Sequence, residues 1–345
     1  MPVVGQTWKL VLALAALFAM SGCDERSPTI DLGRVKTLVA KHEYERARSA
    51  LAEFEAQTGG SPQSTRLMIA SLLGLGDGFA AAVYINKLGA NDISDTERKT
   101  LLAHSLIVRD RPFDAITLLT EQLPRTAWTS ETYRIAVWAN RAYERTEDSD
   151  VLLAEGLKAF PQSGPLLALQ SRRLLDAGNV DGAAEQAERA LSLDAGNFEA
   201  LLVLAETALR RGDLDRSLAF YRRAVRQFPN QPLPKVNIVG ILIDQQNLVQ
   251  AKVELRKARA DHPGFPLLQF QQARIYFLDK DFLAAQRELN AAWVSLESYV
   301  PAQILSAQVS IAMGNRDTAA AMLERARQDS RFAGEIEMLR AKHQL

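Results

Sequence analysis

The sequence predicts an all-α protein, a right-handed solenoid of about nine helix pairs, and two observations carry this prediction. The first is a 34-residue period that runs from Pro28 without insertion or deletion. Its twentieth position holds only alanine or serine, at Ala47, Ala81, Ala115, Ser149, Ala183, Ser217, Ala251, Ala285 and Ala319. The second is that each period contains two amphipathic stretches with helical spacing, separated by turn residues. A fixed period of this length is typical of helical repeat arrays, so the units are expected to stack into a curved rod.

The window of residues 198–231 shows the pattern of a single unit. Its first helix has apolar residues at Leu201, Leu204, Ala205 and Ala208, and its second at Leu214, Leu218, Tyr221, Ala224 and Val225. Gly212 separates the two helices, because glycine accepts a positive φ and so ends a helix. Pro229 ends the second helix, because proline has no backbone N–H to donate. A small twentieth residue lets the two helices approach closely, where a larger one would cost ~1–3 kcal/mol.

Nine windows cover residues 28–333, and residues 334–345 are predicted to form a C-terminal capping helix with Ile336 and Leu339 facing inward. The 34-residue spacing, the small residues and the turn and stop signals together resemble the tetratricopeptide repeat. The resemblance implies that the first helix of each unit lines the concave side of the solenoid, and that this side binds protein partners.

The third and fourth windows depart from the common pattern. Pro112 falls in the predicted turn between helices, Glu144 and Arg145 replace the glycine–aspartate pair, and Gly156 replaces the second small alanine. The spacing persists through both windows. We therefore expect the fold to continue there with a looser interface.

The N-terminal segment predicts export and lipid attachment. Residues 10–20 are an unbroken apolar run, shorter than the about 20 residues of a membrane-spanning helix and of the length of a secretory h-region. Small residues then lead to Cys23, the only cysteine, in an arrangement that resembles the bacterial lipobox. The resemblance implies a signal peptide at 1–22, an acylated (palmitate-bearing) Cys23 and a short linker at 23–27; the alternative is a signal peptide with an incidental cysteine. Asp24 resembles a retention signal that favours the periplasmic face of the inner membrane, with an outer-membrane location or a plain solvated linker as alternatives.

Composition and motifs argue against several functions. Lys and Arg total 41 and Asp and Glu total 41, so the formal net charge is zero. A nucleic-acid binder normally shows a basic excess, so no nucleic-acid partner is expected. The four histidines lie in different units, and no metal-binding, phosphate-binding or hydrolase motif is found. We therefore expect no enzymatic activity, no metal and no cofactor.

The first helices of the C-terminal units predict a binding groove. Window positions 5, 9 and 12 share one helix face, and in units 5 to 9 they form two apolar rows beside a mixed polar row. The predicted peptide-binding residues are Arg172, Leu202, Glu206, Leu209, Arg210, Val236, Ile243, Asp244, Phe270, Arg274, Phe277 and Ile304. An apolar or amphipathic segment of a partner protein would fit such a groove. The alternative is that the superhelix buries these rows against adjacent helices.

A second resemblance suggests a cellular system. Residues 262–307 are similar to repeat lipoproteins associated with exosortase (PEP-CTERM) and extracellular-polysaccharide loci, of which this chain would match the N-terminal portion. The resemblance implies a docking scaffold in the biogenesis or export of exopolysaccharide or surface proteins. The sequence leaves two alternatives open. One is a pilotin-like assembly factor for a secretin or pilus, and the other is a glycan-binding module using Trp138, Phe270 and Phe277.

Overall fold

A computed structural model describes residues 30–344, over which the chain forms nineteen α-helices, two short 3-10 turns and no strand. The predicted signal peptide (1–22), Cys23 and the linker (23–27) lie outside the described residues. No helix in the described part is both long enough and apolar enough to cross a bilayer. The predicted fold class, a solenoid of nine helix pairs with a C-terminal capping helix, is confirmed.

Each pair packs along its own length and against the next pair. The bounds are α1 (Leu32–Ala40) with α2 (Tyr44–Thr58), α3 (Pro62–Gly74) with α4 (Gly78–Lys87), α5 (Asp95–Val108) with α6 (Pro112–Gln122), α7 (Ser130–Ala142) with α8 (Thr146–Ala159), α9 (Gly164–Asp176) with α10 (Val180–Leu193), α11 (Phe198–Arg210) with α12 (Leu214–Gln227), α13 (Pro232–Asp244) with α14 (Leu248–Asp261), α15 (Pro266–Leu278) with α16 (Phe282–Leu296), α17 (Val300–Ala312) with α18 (Arg316–Ala326), and finally α19 (Ala333–His343). Odd-numbered helices up to α17 are the first helices of their units.

The turn inside every pair has the same backbone geometry. One residue with φ between 57° and 82° recurs every 34 residues, at His42, Gly76, Asp110, Glu144, Gly178, Gly212, Gln246, Lys280 and Gly314. Two residues later the second helix begins, at positions 44, 78, 112, 146, 180, 214, 248, 282 and 316. In five units the residue between them is an Asp or Asn whose side chain accepts from the backbone of the new helix, which satisfies one of its free N–H groups. The period is therefore a property of the backbone as well as of the sequence.

The small twentieth residues are buried in every pair. All nine are at most 2% exposed. Large apolar side chains one turn further along the second helix, such as Leu51, Leu119 and Tyr221, are buried in the same layer. The core therefore consists of successive apolar clusters between neighbouring helices along the array, and not of one central cluster.

The third and fourth units differ from the sequence expectation at two residues. Pro112 is the first residue of α6, not a turn residue, and proline is well accommodated at a helix start because that N–H has no helical partner anyway. At Gly156 the packing is close rather than loose, since an added Cβ would lie 3.0 Å from Cβ and Cγ of Tyr133 and 3.2 Å from Leu166. The side chains of Tyr133 and Leu166 thus leave little room for a methyl group at this position.

The capping helix α19 closes the C-terminal end as the sequence predicts. Ile336 and Leu339 are buried against the last pair, while Glu335, Glu337 and Lys342 are exposed. Its apolar face covers the end of the core, and its polar face meets the solvent.

The superhelix brings the first repeat back against the sixth. The imidazole of His42 lies 4.6 Å from the ring of Phe228 and 5.8 Å from the ring of Phe198, measured between centroids. Phe228 is buried, whereas Phe160, its equivalent two repeats earlier, is half-buried. Burial in this contact lowers the pKa of His42.

Candidate peptide-binding groove

A cavity of about 440 Å³ opens on the concave side of the last four repeats. Its walls come from the first helices α11, α13, α15 and α17, together with residues next to and on the capping helix. Six of the twelve predicted binding residues line it, namely Leu209, Asp244, Phe270, Arg274, Phe277 and Ile304. Lining residues that the sequence analysis left out of its prediction include Asn237, Gly240, Gln271, Leu278, Tyr299, Gln308, Phe332 and Glu335. The cavity therefore lies in the region of the predicted groove, with a different set of polar residues in its lining.

Aromatic side chains form much of the apolar lining. The rings of Phe270 and Tyr299 meet edge to face, with centroids 5.4 Å apart and planes at 88°. Burial raises the pKa of Tyr299, although the neighbouring charge of Arg274 opposes the shift. Tyr299 and Phe332 come from the segments that join helices, at positions without a repeat signature. Only the three-dimensional fold brings them to the groove.

Amide side chains supply the uncharged polar lining. The side chains of Asn237 on α13 and Gln308 on α17 make no hydrogen bond within residues 30–344, so both can bind a ligand. Gln271 on α15 accepts a hydrogen bond from Arg274 at 3.1 Å. Gly240 keeps the wall open, because an added Cβ would lie 3.0 Å from Nε2 of Gln271. An amide offers a donor and an acceptor together, which is what an extended peptide backbone requires.

The charged residues predicted to fix a ligand instead pair with one another between repeats. Arg274 donates to Asp244 at 2.5 Å. Arg172 donates to both carboxylate oxygens of Glu206, at 2.5 and 3.0 Å, and to Glu199 at 2.7 Å. Burial lowers the pKa of Arg172, but the hydrogen bonds and charges of these two glutamates outweigh it and raise the pKa above its usual value.

Arg210, the remaining cation of the predicted set, donates to the backbone carbonyl of Leu175 at 2.7 Å. Like Arg172 and Glu206, it does not line the cavity. These three residues tie α9 to α11, so what the structure shows for them is a role in holding neighbouring repeats together.

Three predicted groove residues lie in the core. Leu202, Val236 and Ile243 are 7%, 4% and 3% exposed and pack in one apolar cluster between repeats. At these three residues adjacent helices cover the apolar rows, which is the alternative that the sequence left open. Phe270 and Ile304 reach the cavity although most of their surface is also buried. Only the small exposed part of each of these two side chains contacts the cavity.

The N-terminal concave surface has a different character. His104 packs edge to face on Trp138, with ring centroids 5.1 Å apart. Burial, and to a smaller extent the charge of Arg134, lowers the pKa of His104 to about 4. Trp138 does not line the cavity that contains Phe270 and Phe277. The structure therefore does not assemble the three aromatic residues suggested for glycan binding.

Over residues 30–344 no group of three or more His, Cys, Asp or Glu side chains comes together.

Known proteins resemble this chain in sequence over a short range and in fold over most of its length. A tetratricopeptide-repeat family profile matches residues 169–232. A crystal structure of the APC/C hetero-tetramer Cut9–Hcn1 contains a chain that superposes with a TM-score of 0.67 at 15% identity, over 90% of this chain and 63% of that one. The present chain thus spans less than two thirds of that neighbour's length.

Two further structures align over nearly their whole lengths. A tetratricopeptide repeat protein from Parabacteroides merdae has a TM-score of 0.52 at 12% identity, covering 73% of this chain and 98% of its own. PilW, described as a widely conserved type IV pilus biogenesis factor, has a TM-score of 0.50 at 16% identity, covering 63% of this chain and 99% of its own. At these identities the likeness concerns the fold.

No curated protein sequence matches this chain. The family match, the neighbouring structures and the nine pairs of helices nevertheless agree. The chain is a solenoid with the fold of tetratricopeptide-repeat proteins, and residues 169–232 carry the signature of that family.

Proposed function

We propose that this protein is a membrane-anchored scaffold whose C-terminal concave groove holds an extended segment of a partner protein. The observation that carries the proposal is the lining of the groove. Unpaired amides on α13 and α17 share the lining with two exposed apolar side chains, Leu209 on α11 at 36% and Leu278 on α15 at 48% exposure. Apolar anchors with a few well-placed polar groups are the usual composition of a binding site.

The amides would recognise the backbone of the bound segment. An extended chain exposes one N–H and one C=O per residue, and both lose hydrogen bonds to water when they enter a groove. Asn237 and Gln308 can each donate to one and accept from the other. The apolar lining would then receive alternate side chains of the segment.

The charged residues of the groove restrict which partner segments can bind. Arg274 is already paired with Asp244, so its charge is largely neutralised. Glu335, on the first turn of α19, is exposed and makes no ion pair within residues 30–344. The groove therefore favours an apolar segment that is neutral or that carries a lysine or arginine toward the capping helix.

Membrane attachment is proposed from the sequence. The apolar run at 10–20 and the position of Cys23 support a lipid anchor that holds the solenoid at the periplasmic face of a membrane. Exopolysaccharide or surface-protein biogenesis is the cellular system that we propose, because residues 262–307 resemble lipoproteins associated with such systems.

Replacing Cys23 with alanine is expected to abolish palmitate labelling and to change membrane fractionation. Unchanged labelling and fractionation would contradict the proposed lipid anchor but would leave the proposal about the groove unaffected.

Peptide selection tests the groove itself. Peptides selected from a displayed random library on the full chain are expected to be apolar, with neutral or basic flanks. The double variant Leu209→Glu/Leu278→Glu is expected to lose these peptides. Because both side chains are exposed, it should keep its helical signal and melting temperature.

A matched double variant on the outside of the solenoid controls for added charge. Val249→Glu/Val294→Glu changes two side chains that are 80% and 89% exposed and does not touch the groove. It should bind the selected peptides as the unmodified protein does. If the groove variant still binds, or if the control loses binding equally, the proposed groove is wrong.

A further inference from the structure

A second pocket of about 240 Å³ lies on the opposite side of α17 from the groove. It is bounded by the second helices α16 and α18, and α17 forms its floor. On α16, Gln286, Asn290 and Trp293 follow one another at spacings of four and three residues, so they share one face. On α17, Ser306 and Ser310 are likewise four residues apart. The pocket is therefore built into the seam between the last two repeats.

The preceding seam shows how this pocket arises. A cavity 34 residues earlier along the chain has Lys252, Arg256 and Arg259 where the pocket has Gln286, Asn290 and Trp293. Gln272 and Tyr276 stand there in place of the two serines. Two small serines thus replace larger side chains, and the uncharged Gln286, Asn290 and Trp293 replace three cations.

The polar groups of the two seams differ in their partners. In the earlier seam Lys252 pairs with Asp279 and Arg259 with Glu288, so two of the three cations have an acidic partner. In the last seam the side chains of Gln286, Asn290 and Ser306 make no hydrogen bond within the described residues. The hydroxyl of Ser310 also lacks a partner there, although the residue is only 4% exposed. A hydroxyl that opens on a pocket is a group whose hydrogen bond a ligand can complete.

The composition of the pocket identifies the chemistry of a ligand. Its lining has no Asp, Glu, Lys, Arg or His, which disfavours an ionic ligand. Amides and hydroxyls can each both donate and accept, as the hydroxyls of a sugar do. The indole of Trp293 offers a flat apolar surface with one polar edge. At about 30 Å³ per water, the volume equals roughly eight waters, enough for a single sugar ring.

We propose that this pocket binds one uncharged saccharide ring, stacked on Trp293 and hydrogen-bonded by Gln286, Asn290 and the two serines of α17. The proposal does not depend on the peptide groove, because the two sites lie on opposite sides of α17 and share no lining residue. A neutral terminal or repeating unit of a glycan is the ligand class.

Titration with methyl glycosides of glucose, galactose, mannose and N-acetylglucosamine tests the proposal. The full chain labelled with ¹⁵N is used, and the indole N–H signal of Trp293 is assigned by its loss in Trp293→Phe. At least one glycoside is expected to shift that signal in a saturable way. If none of them shifts it, the proposal is wrong.

Two sets of variants locate the binding. Ser306→Gln/Ser310→Tyr restores the residues of the preceding repeat and is expected to fill the pocket and abolish the shift. Gln286→Ala/Asn290→Ala keeps good helix formers on half-exposed and exposed positions, so it should fold, and the loss of the amide hydrogen bonds should weaken binding at least about tenfold. Val294→Gln, beside the pocket and fully solvated, should bind normally. Unweakened binding in the alanine variant would overturn the assignment even if the serine variant failed to fold.

Discussion

The turns inside the helix pairs give a quantitative prediction about stability. Glu144, Gln246 and Lys280 have φ of 60°, 58° and 63°, in the left-handed region that side chains with a Cβ adopt at a cost. All three are exposed, and their side chains make no hydrogen bond within residues 30–344. Replacing them with glycine therefore removes strain without removing a contact.

The expected gain follows from two opposing effects. The left-handed conformation costs an L-residue roughly 1–2 kcal/mol. Glycine loses about 0.5–1 kcal/mol more than alanine in conformational freedom on folding. The net gain is about 0.5–1 kcal/mol for each site. The three sites lie in different repeats, so their effects should add to about 2 kcal/mol in the triple variant.

Urea denaturation followed by circular dichroism measures this gain. The triple variant Glu144→Gly/Gln246→Gly/Lys280→Gly should unfold at a higher urea concentration than the unmodified chain. The reverse substitution, Gly212→Ala, is the matched control, because an added Cβ would meet nothing within 4 Å and only the φ of 76° opposes it. It should lower the midpoint. An unchanged or lower midpoint in the triple variant would refute the argument.

Three further changes follow from packing and charge. Gly156→Ala should lower the thermal midpoint, because overpacking against Tyr133 at ~1–3 kcal/mol exceeds the ~1 kcal/mol gain in helix propensity; a higher midpoint would contradict the close packing. The pKa of His104 is lowered, so the unfolded chain binds the proton more readily, and stability is lost as pH falls from 6.5 toward 4. Relative to His104→Gln, the native protein should lose up to about 3 kcal/mol of unfolding free energy over that range, and parallel curves would contradict it. His42→Ala should speed hydrogen exchange around Phe228 while leaving distant repeats unchanged, and unaltered exchange there would show that the contact between the first and sixth repeats is not stabilising.

The fold was predictable from the sequence because the same positions carry the same packing requirements in each of nine repeats. A position such as Ala183 or Ala251 must be small in every unit, so a weak local signal becomes strong when the windows are compared. The positive φ of the turn was predictable from the sequence only where glycine occupies it. At Lys280 and Gln246 the same positive φ is imposed by packing of the flanking helices, against the preference of the residue.

The groove was predictable in position but only partly in composition. Helical spacing places Phe277 and Leu209 on the concave face, but it cannot say how far the superhelix covers a neighbour such as Val236. The inter-repeat partners of charged residues depend on the same curvature. Tyr299 and Phe332 enter the groove from joining segments, where no periodicity applies.

The most direct test of the account is to locate the bound segment by crosslinking. A photoreactive phenylalanine analogue is placed at Leu278, on the rim of the groove, or at Val294, on the outer surface. With a peptide selected on the unmodified protein, the chain carrying the analogue at position 278 should form a covalent adduct and the chain carrying it at 294 should not. An adduct at 294 with none at 278 would contradict the account.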